Sequence, residues 1–483
     1  MTPTNLLVIT SDEHNKRHLG CYGSDMVQTP NLDRLAEMGT RFTNAYTPSP
    51  ICMPARAALA TGRYLYETEN WDNGSAYRGT EADSWGHRLS DQGHNAPTYG
   101  KLHYHPECNS GYDEHLPLHA KLAEDGYIGA VASWLGEDAP IAKGLRKEIL
   151  GAEAGEFGYT RYDRSIAEAA SEWLKSHELT DKPWCTYVSF TYPHYPFVAP
   201  KEYVDLYDPD AIELPVNWEQ KDWSDHPALK YKRHKMGLDV PVSEAEMRHA
   251  MAVYFGMVTF LDAQVGKVLD ALAESPFAYN TRIIYSSDHG EMLGEHGFWF
   301  KGTMHEGSAG IPMIFAGPDV PQNHVCNTPV SLIDVYPTAV ASVGAQFTNA
   351  DANLNGRDLV QIANAPDESR AVMSSYHSVG AKSSTFMIMD GRWKYIESVG
   401  YPARLFDLET DPEELSDLAN DPAYADKLSD CAQTMRSFCD PEVVEAKVQA
   451  HRKANVERMG GVETLKGKMG NNRPFTPAPE KFG

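Results

Sequence analysis

Residues 5–14, NLLVITSDEH, join a continuous apolar run to a polar end. A run without polar alternation is typical of a strand buried on both faces of a parallel sheet. It ends at Asp12 and Glu13, and ligands of such sheets bind beyond the carboxyl ends of the strands. This stretch therefore predicts an α/β fold and provides the first two candidate site residues.

Helix and strand patterns alternate along the following chain. Helical patterns cover residues 29–39, 158–177 and 243–275, and strand patterns cover 182–190 and 281–287. Ser243 and Glu246 form a capping box at the start of the longest helix. This alternation predicts a large, mostly parallel, doubly wound sheet flanked by helices. Residues 192–194, Asp288 and His289 follow two of the strands and become further candidates.

The sequence pattern divides the chain into three parts. Residues 1–366 carry the alternating pattern and form the predicted catalytic domain. Residues 367–452 contain short strands with Asp-Gly and proline turns and then a polar helix, which predicts a small C-terminal α+β subdomain with an antiparallel sheet. Residues 453–483 have too few apolar side chains for a core of their own, so we expect an extended tail that would suit an exchange between subunits of a homo-oligomer.

Composition narrows the class of protein. The chain has 43 Lys and Arg against 67 Asp and Glu, a net charge of −24, which argues against a nucleic-acid partner. The first apolar run is too short for a signal or membrane helix, so we expect no membrane contact and a cytoplasmic protein. Its seven cysteines include no CxxC pair, which predicts mostly free thiols.

Cys52 stands at the threshold of a small-residue helix in residues 49–64, SPICMPARAALATGRY. A free cysteine is most often a small buried hydrophobic residue. At a helix N-terminus, however, the helix dipole together with Arg56 and Arg63 would activate a thiolate as a nucleophile or a metal-facing group. The residue type alone leaves both interpretations open.

The spacing around Cys52 resembles the signature C-x-P-x-R, followed by T-G-R, of the type I sulfatases, which belong to the alkaline phosphatase superfamily. In that family a maturation enzyme oxidises the cysteine to formylglycine (3-oxoalanine), an aldehyde whose hydrate is the nucleophile. The resemblance implies that Cys52 is a precursor of this residue and that a formylglycine-generating enzyme is a transient partner. Further segments resemble the family in the same order, at residues 99–105 (YGKLHYH), 189–197 (SFTYPHYPF), 286–318, 391–398 and 404–420.

Three of the polar residues after buried strands, Asp12, Asp288 and His289, could converge on one cation. Singly, each is more often a turn or capping residue. The resemblance implies that they hold one divalent metal ion, Ca²⁺, Mn²⁺, Mg²⁺ or Zn²⁺, together with Glu13 and the residue made from Cys52. Many sulfatases have aspartate at the position of Glu13 and asparagine at that of His289.

Positive groups near these motifs would hold an anionic ester in a protein of net negative charge. Each could also be a solvated lysine or a core histidine. The resemblance implies that Arg56 and Lys101 steady the aldehyde hydrate and the substrate oxygens. It also implies that His103, His194 and Lys301 contact the anion or protonate the leaving oxygen, with Asn73 near the substrate oxygens.

Among sulfatases, the chain resembles choline-sulfatases most closely, which implies a small sulfate ester such as choline-O-sulfate as substrate. Aromatic faces bind a quaternary ammonium, so we predict that Trp71, Tyr104 and Trp299 contact the substrate; Tyr77, Tyr192 and Tyr195 are further aromatic neighbours. One alternative is a phosphonate monoester or phosphodiester hydrolase of the same superfamily. Another is a non-catalytic metal-binding or anion-binding relative with an unmodified Cys52.

Overall fold

The structure, a computed structural model, describes residues 2–125, 127–178, 182–469 and 475–479. Its strands within these ranges are β1 (Asn5–Ser11), β2 (Gly39–Phe42), β3 (Ala45–Tyr46), β4 (Pro97–Lys101), β5 (Asp113–Leu118), β6 (Glu153–Ala154), β7 (Cys185–Ser189), β8 (Val198–Ala199), β9 (Thr281–Ser287), β10 (Met313–Ala316), β11 (His324–Cys326), β12 (Val330–Ser331), β13 (Ala371–Tyr376), β14 (Thr385–Asp390), β15 (Trp393–Ser398) and β16 (Arg404–Asp407).

The helices over the same ranges alternate with these strands. They are α1 (Pro30–Glu37), α2 (Cys52–Thr61), α3 (Leu65–Thr68), α4 (Trp85–Ser90), α5 (Ile128–Leu135), α6 (Gly144–Leu150), α7 (Gly158–Ser176), α8 (Lys201–Val204), α9 (Pro227–Lys235), α10 (Glu244–Ala273), α11 (Glu306–Ala309), α12 (Val335–Val343), α13 (Leu359–Asn364), α14 (Ala425–Phe438), α15 (Pro441–Arg458) and α16 (Val462–Lys468).

An eight-stranded sheet in the order β11-β2-β10-β9-β1-β7-β4-β5 forms the centre of the protein. Strand β1 lies between β9 and β7 and runs parallel to both. Strand β10 runs antiparallel to its neighbours β9 and β2, whereas the remaining pairs are parallel. The prediction of a mostly parallel sheet is therefore confirmed.

Every residue of β1 is buried, because helices cover both faces of this sheet. Leu7 and Ile9 pack into an apolar cluster with residues of α1, α7 and α10. Leu6 and Val8 point to the other face and pack with residues of α2, α4 and α12. A continuous apolar strand is thus explained by two buried faces, and the predicted doubly wound arrangement is confirmed.

Strands β13 to β16 form a separate antiparallel sheet against which α14 packs, as predicted for the C-terminal region. The predicted extended tail needs a correction. Residues 453–458 complete α15, and α16 follows at once. Leu465 and Met459 pack with α5, so a few well-spaced apolar residues suffice to dock these helices on the larger part. Residues 470–474 and 480–483 of the predicted tail lie outside the described residues.

By length and composition, helix α10 could cross a membrane, yet 89% of its most apolar window is buried inside the protein. It packs against α1, α7 and α8. A core helix passes the same test, so α10 is weak evidence for a membrane span.

Candidate active site

The candidate site lies at the carboxyl edge of the central sheet. Parallel strands β1 and β9 end side by side, and Asp12 and Asp288 with His289 follow them directly. All three side chains are buried. Strand topology therefore brings together residues that are far apart in the sequence, as the apolar runs predicted.

Cys52 faces these residues from the first position of α2 and is 2% exposed. Its Sγ lies 3.3 Å from Nε2 of His289 and 3.8 Å from Oδ1 of Asp12. The Nζ of Lys301 lies 3.4 Å from the same sulfur. Burial and the Asp12 carboxylate raise the pKa of the Cys52 thiol to about 12, although Lys301 opposes the shift. The unmodified side chain is therefore a protonated thiol at neutral pH, not an activated thiolate.

Arg56, one helical turn after Cys52, forms hydrogen bonds with residues at or just after the carboxyl ends of four strands, β1, β4, β7 and β9. Its guanidinium donates to Oδ2 of Asp288 at 2.9 Å and to Oδ2 of Asp12 at 3.0 Å. The same side chain donates to the carbonyl oxygen of Lys101 and to Oγ of Ser189, at 2.7 and 2.8 Å. Only the fork of an arginine can satisfy these four acceptors at once. Arg56 thus balances two buried carboxylates and fixes their orientation.

Lys101 contacts the same acidic group. Its Nζ lies 2.5 Å from Oδ2 of Asp12. Burial alone would raise the pKa of Asp12, but Lys101, His194 and Arg56 hold the pKa well below its usual value. Asp12 is therefore a permanent carboxylate in this environment.

His103 lies behind this group, 2% exposed and with a positive φ of 55°. Within the described residues, neither of its ring nitrogens has a hydrogen-bond partner. Burial and the nearby Lys101 lower the pKa of His103 well below its usual value, so the ring is neutral.

The loop that carries His194 follows β7 and is held by a buried carboxylate. Asp163 of α7 accepts hydrogen bonds from the backbone N–H groups of Thr191 and Tyr192 and from the Thr191 hydroxyl. His194 Nδ1 donates to the carbonyl oxygen of Tyr195 at 2.5 Å, which leaves Nε2 free to face the site. That nitrogen lies 3.6 Å from Oε2 of Glu13. Burial and Lys301 lower the pKa of His194 well below its usual value.

The buried Lys301 Nζ donates a hydrogen bond to Oε2 of Glu13 at 3.0 Å. Glu13 has a positive φ of 70°, which turns its side chain into the site. Burial raises the pKa of Glu13 to about 8, against the effect of Lys301. The pKa of Lys301 is raised well above its usual value: burial would lower it, but the nearby Cys52 and Glu13 prevail.

Two overlapping groups of side chains could hold a metal ion here, Asp12 with Cys52, Asp288 and His289, and Asp12 with Glu13 and His194. His289 Nδ1 donates to the carbonyl oxygen of Gly290, so its Nε2 is free to bind a cation. Oε1 of Glu13 has no hydrogen-bond partner in the described part of the chain. Several carboxylate oxygens and one imidazole nitrogen suit a divalent cation of the predicted kind.

A cavity of about 470 Å³ opens onto these groups. Cys52, Asn73, His194 and Lys301 line it, whereas Lys101 and His103 do not. Asn73 Oδ1 accepts from the backbone N–H of Met53, which holds the amide beside the start of α2. The predicted catalytic residues therefore divide into a group that faces the cavity and a buried group behind it.

The predicted aromatic substrate contacts need a correction. Trp71 packs edge-on against His377 and joins the apolar cluster of the C-terminal sheet. Tyr104 packs against Tyr77 in the core, and Trp299 packs against Phe197. In the described cavity wall none of these three predicted residues is present, because closeness in sequence does not determine which way a ring points.

Other aromatic residues line the cavity instead: Tyr127, Tyr195, Phe300 and Tyr376. Sequence reasoning had singled out only Tyr195 among them as a neighbour. Tyr127 precedes α5 and Tyr376 ends β13, far from any recognised motif. Only the adjacency of Phe300 to Lys301 could have indicated its place.

The chain is similar to known sulfatases over most of its length. Residues 4–345 match the family model described as sulfatase, and residues 294–439 match that of the N-sulphoglucosamine sulphohydrolase C-terminal region. The chain is 32% identical to a choline-sulfatase of Rhizobium meliloti over 438 residues, 86% of this chain and 83% of that protein. It is 28% identical to arylsulfatase K of Danio rerio over 477 residues, 93% and 86% of the two chains.

Solved structures show the same fold. A phosphonate monoester hydrolase of Agrobacterium radiobacter superposes with a TM-score of 0.72 at 24% identity, covering 90% of this chain and 95% of that one. A 2-O GAG sulfatase superposes with a TM-score of 0.73 at 22% identity, covering 100% and 99%.

Proposed function

The chain belongs to the sulfatase family and is a sulfuric ester hydrolase, and on this premise we propose that it acts through a formylglycine made from Cys52 and one divalent metal ion. The observation that carries the proposal is the convergence of Cys52 on His289, Asp12 and Lys301 within 3.8 Å. A buried thiol whose pKa is raised to about 12 would be a poor nucleophile. Oxidation of Cys52 by a maturation enzyme would replace it with an aldehyde, whose hydrate supplies the attacking hydroxyl.

The donor set supports one metal ion held by Asp12, Asp288 and His289, with Glu13 as a further ligand. When bound, a divalent ion at this place would neutralise charge on the sulfate oxygens. Arg56 orients both aspartates, and Lys101 holds Asp12 ionised. These contacts support positioning roles for Arg56 and Lys101 behind the ligands.

In the overall reaction, water adds to the sulfate ester, the bond between sulfur and the alcohol oxygen breaks, and alcohol and hydrogen sulfate result. Lys301, whose Nζ lies 3.0 Å from Oε2 of Glu13, provides positive charge for the sulfate group. His194 Nε2 faces the cavity, and a bound anion would raise the pKa of this imidazole. We assign proton donation to the leaving oxygen to this nitrogen.

The first test is the mass of the Cys52 peptide, since aldehyde formation exchanges the sulfur for oxygen and removes two hydrogen atoms. On protein verified in this way, we expect an aryl sulfate to be hydrolysed with a higher kcat/KM than the matching aryl phosphonate monoester. The Cys52→Ala variant should lose at least about 1000-fold in kcat. Cys439→Ala, which changes a half-buried thiol of the C-terminal region, is the matched control.

Metal dependence is tested on the same protein. Dialysis against a chelator should abolish sulfate release, and addition of Ca²⁺, Mn²⁺, Mg²⁺ or Zn²⁺ should restore it. Full activity of verified metal-free enzyme would contradict the metal assignment. A completely unmodified Cys52 in active protein from its natural host would contradict the aldehyde, and a faster phosphonate reaction would move the protein to the alternative hydrolase activity.

A further inference from the structure

The cavity wall beyond the reactive group is mostly apolar, with Tyr127, Tyr195, Tyr376 and Lys143 also among its lining residues. The polar side chains around Cys52 occupy one part of it, and the remaining wall comes from separate parts of the chain. Helix α5, the segment before α6, and residues that follow α9, β13 and α16 all contribute. The apolar lining residues are Ile51, Ile128, Ala132, Pro140, Ile141, Ala142, Leu145, Met236, Phe300, Val379 and Met469.

Several of these side chains remain partly exposed instead of packing fully into the core. Ile128, Ile141, Leu145, Val379 and Met469 are all only half-buried, although they line one cavity. Partly exposed apolar side chains that surround a single space are typical of a site for an apolar ligand. Their convergence gives the cavity an apolar surface directly beside the sulfate-binding groups.

The charges of the wall indicate which alcohol would not fit. No Asp or Glu lines the cavity within the described ranges, whereas Lys143 and Lys301 both do. The Nζ of Lys301 lies 5.2 Å from the centroid of the Tyr195 ring, so an ammonium already stands beside this aromatic face. Beyond the reactive group, a quaternary ammonium would meet Lys143 and no carboxylate in the described lining. In the described part of the wall, a sugar with several anionic groups would find one lysine, Lys143, outside the reactive group.

We propose that this enzyme's leaving group is an uncharged, apolar alcohol, bound by the apolar wall of the cavity, rather than choline or a polyanionic sugar. The inference rests on the proposed sulfate-ester hydrolysis and names the substrate class of the same site. Sulfate binds at Lys301 and His194, and the alkyl or aryl part of the ester lies against residues such as Ile128, Leu145 and Met236. Burial of each added methylene would lower the free energy of the transition state.

A matched pair of substrates tests the charge argument. Choline-O-sulfate and 3,3-dimethylbutyl sulfate have the same shape, but the second carries carbon in place of the positive nitrogen. We expect 3,3-dimethylbutyl sulfate, whose alcohol part is uncharged, to have a kcat/KM at least about tenfold higher. An equal or higher value for choline-O-sulfate would overturn the inference, because the cavity would then have to contain a cation site.

A chain-length series tests the apolar wall. From ethyl to butyl to hexyl sulfate, kcat/KM should rise about fourfold per methylene. Ala132→Leu, which fills part of the cavity, should reduce kcat/KM for hexyl sulfate more than that for ethyl sulfate. A flat series on active enzyme would overturn the inference.

A charge reversal at the wall gives an independent readout. Lys143→Glu should raise the ratio of kcat/KM for choline-O-sulfate to that for 3,3-dimethylbutyl sulfate, whereas Lys147→Glu, in α6 but outside the cavity wall, should not. An unchanged ratio in Lys143→Glu would contradict the placement of the alcohol beside Lys143. An aryl sulfate assayed on every batch separates failure of the proposed function from failure of this inference. If no ester is hydrolysed, both are refuted. If the enzyme hydrolyses esters but favours choline-O-sulfate, only the inference is refuted.

Discussion

Lys232 of α9 is a buried cation whose titration should alter stability. The side chain is 5% exposed, and its Nζ has no hydrogen-bond partner in the described part of the chain. It lies 3.8 Å from the centroid of the Tyr376 ring, beside Arg404, in a small cavity of about 30 Å³. Burial lowers the pKa of Lys232 to about 7. Folding therefore disfavours the charged form of this lysine.

The sign of the pH effect follows from proton binding. Between about pH 7 and the ordinary lysine pKa of about 10.4, the unfolded chain binds more protons at Lys232, so its contribution to the free energy of unfolding rises with pH. We expect Lys232→Met to stabilise the protein relative to wild type most at pH 6 and least near pH 10, as measured by urea midpoints. Lys230→Met, an exposed lysine on the same helix, is the control. A difference between Lys232→Met and wild type that is constant with pH would contradict the assigned pKa.

Individual site residues differ in how well the sequence predicts them. Asp12, Asp288 and His289 follow apolar runs, so strand topology alone places them at one edge of the sheet. Cys52 is recognised by its spacing to Arg56. The contacts of a ring such as Trp299 depend on side-chain direction and on distant segments, which no local pattern contains. The apolar wall of the cavity was missed for the same reason, because its parts come from all along the chain.

At the scale of elements, the end of β4 depends on Gly100. Its φ of +102° accompanies a register shift between Tyr99 and Lys101 relative to β5. This irregularity precedes the residue whose ammonium contacts Asp12. A Cβ at Gly100 would lie 2.2 Å from the backbone carbonyl oxygen of Ser189 on β7. Backbone cannot yield as a side-chain end can, so an added methyl would separate the two strands.

We therefore expect Gly100→Ala to lower the melting temperature and kcat together, with kcat reduced at least about 100-fold, since small displacements of positioned groups have such effects. Gly467→Ala in α16 has open space around the new methyl and should leave both quantities nearly unchanged. Calorimetry and sulfate release on the same preparations provide the measurement. A Gly100→Ala protein with wild-type stability and rate would show that the bulge does not position Lys101.

Elements were predicted best where a regular pattern ran through them. The apolar run of β1 and the capping box of α10 marked both elements to within a few residues. The antiparallel direction of β10 was not predicted, because four apolar residues look the same whichever way the strand runs. That direction is set by residues 288–312, which connect β9 to β10, and by the helices around them, which are tertiary features.

At the scale of the whole molecule, a buried ion cluster joins the two sheets. Lys394 of β15 is fully buried, with its Nζ 2.6 Å from Oε1 of Glu306 and 2.9 Å from Oε1 of Glu414. Lys16, which follows β1, contacts the other oxygen of Glu306 at 2.6 Å. Glu306 also belongs to α11, five residues after Lys301. The cluster thus connects the C-terminal sheet to the segment that carries an active-site lysine.

Removal of Lys394 should therefore affect the entire protein. In Lys394→Met two buried carboxylates lose their shared cation, a change that typically costs about 3–5 kcal/mol. We expect a lower melting temperature with a single calorimetric transition, because neither sheet keeps this contact when the other unfolds. Lys447→Met removes an exposed ion pair with Glu69 and should melt as wild type does, because such pairs stabilise little. The contrary outcome is that the C-terminal sheet of Lys394→Met melts in a separate, earlier step while sulfate release persists. The two sheets would then be independent folding units, and the ion cluster would stabilise only the smaller sheet.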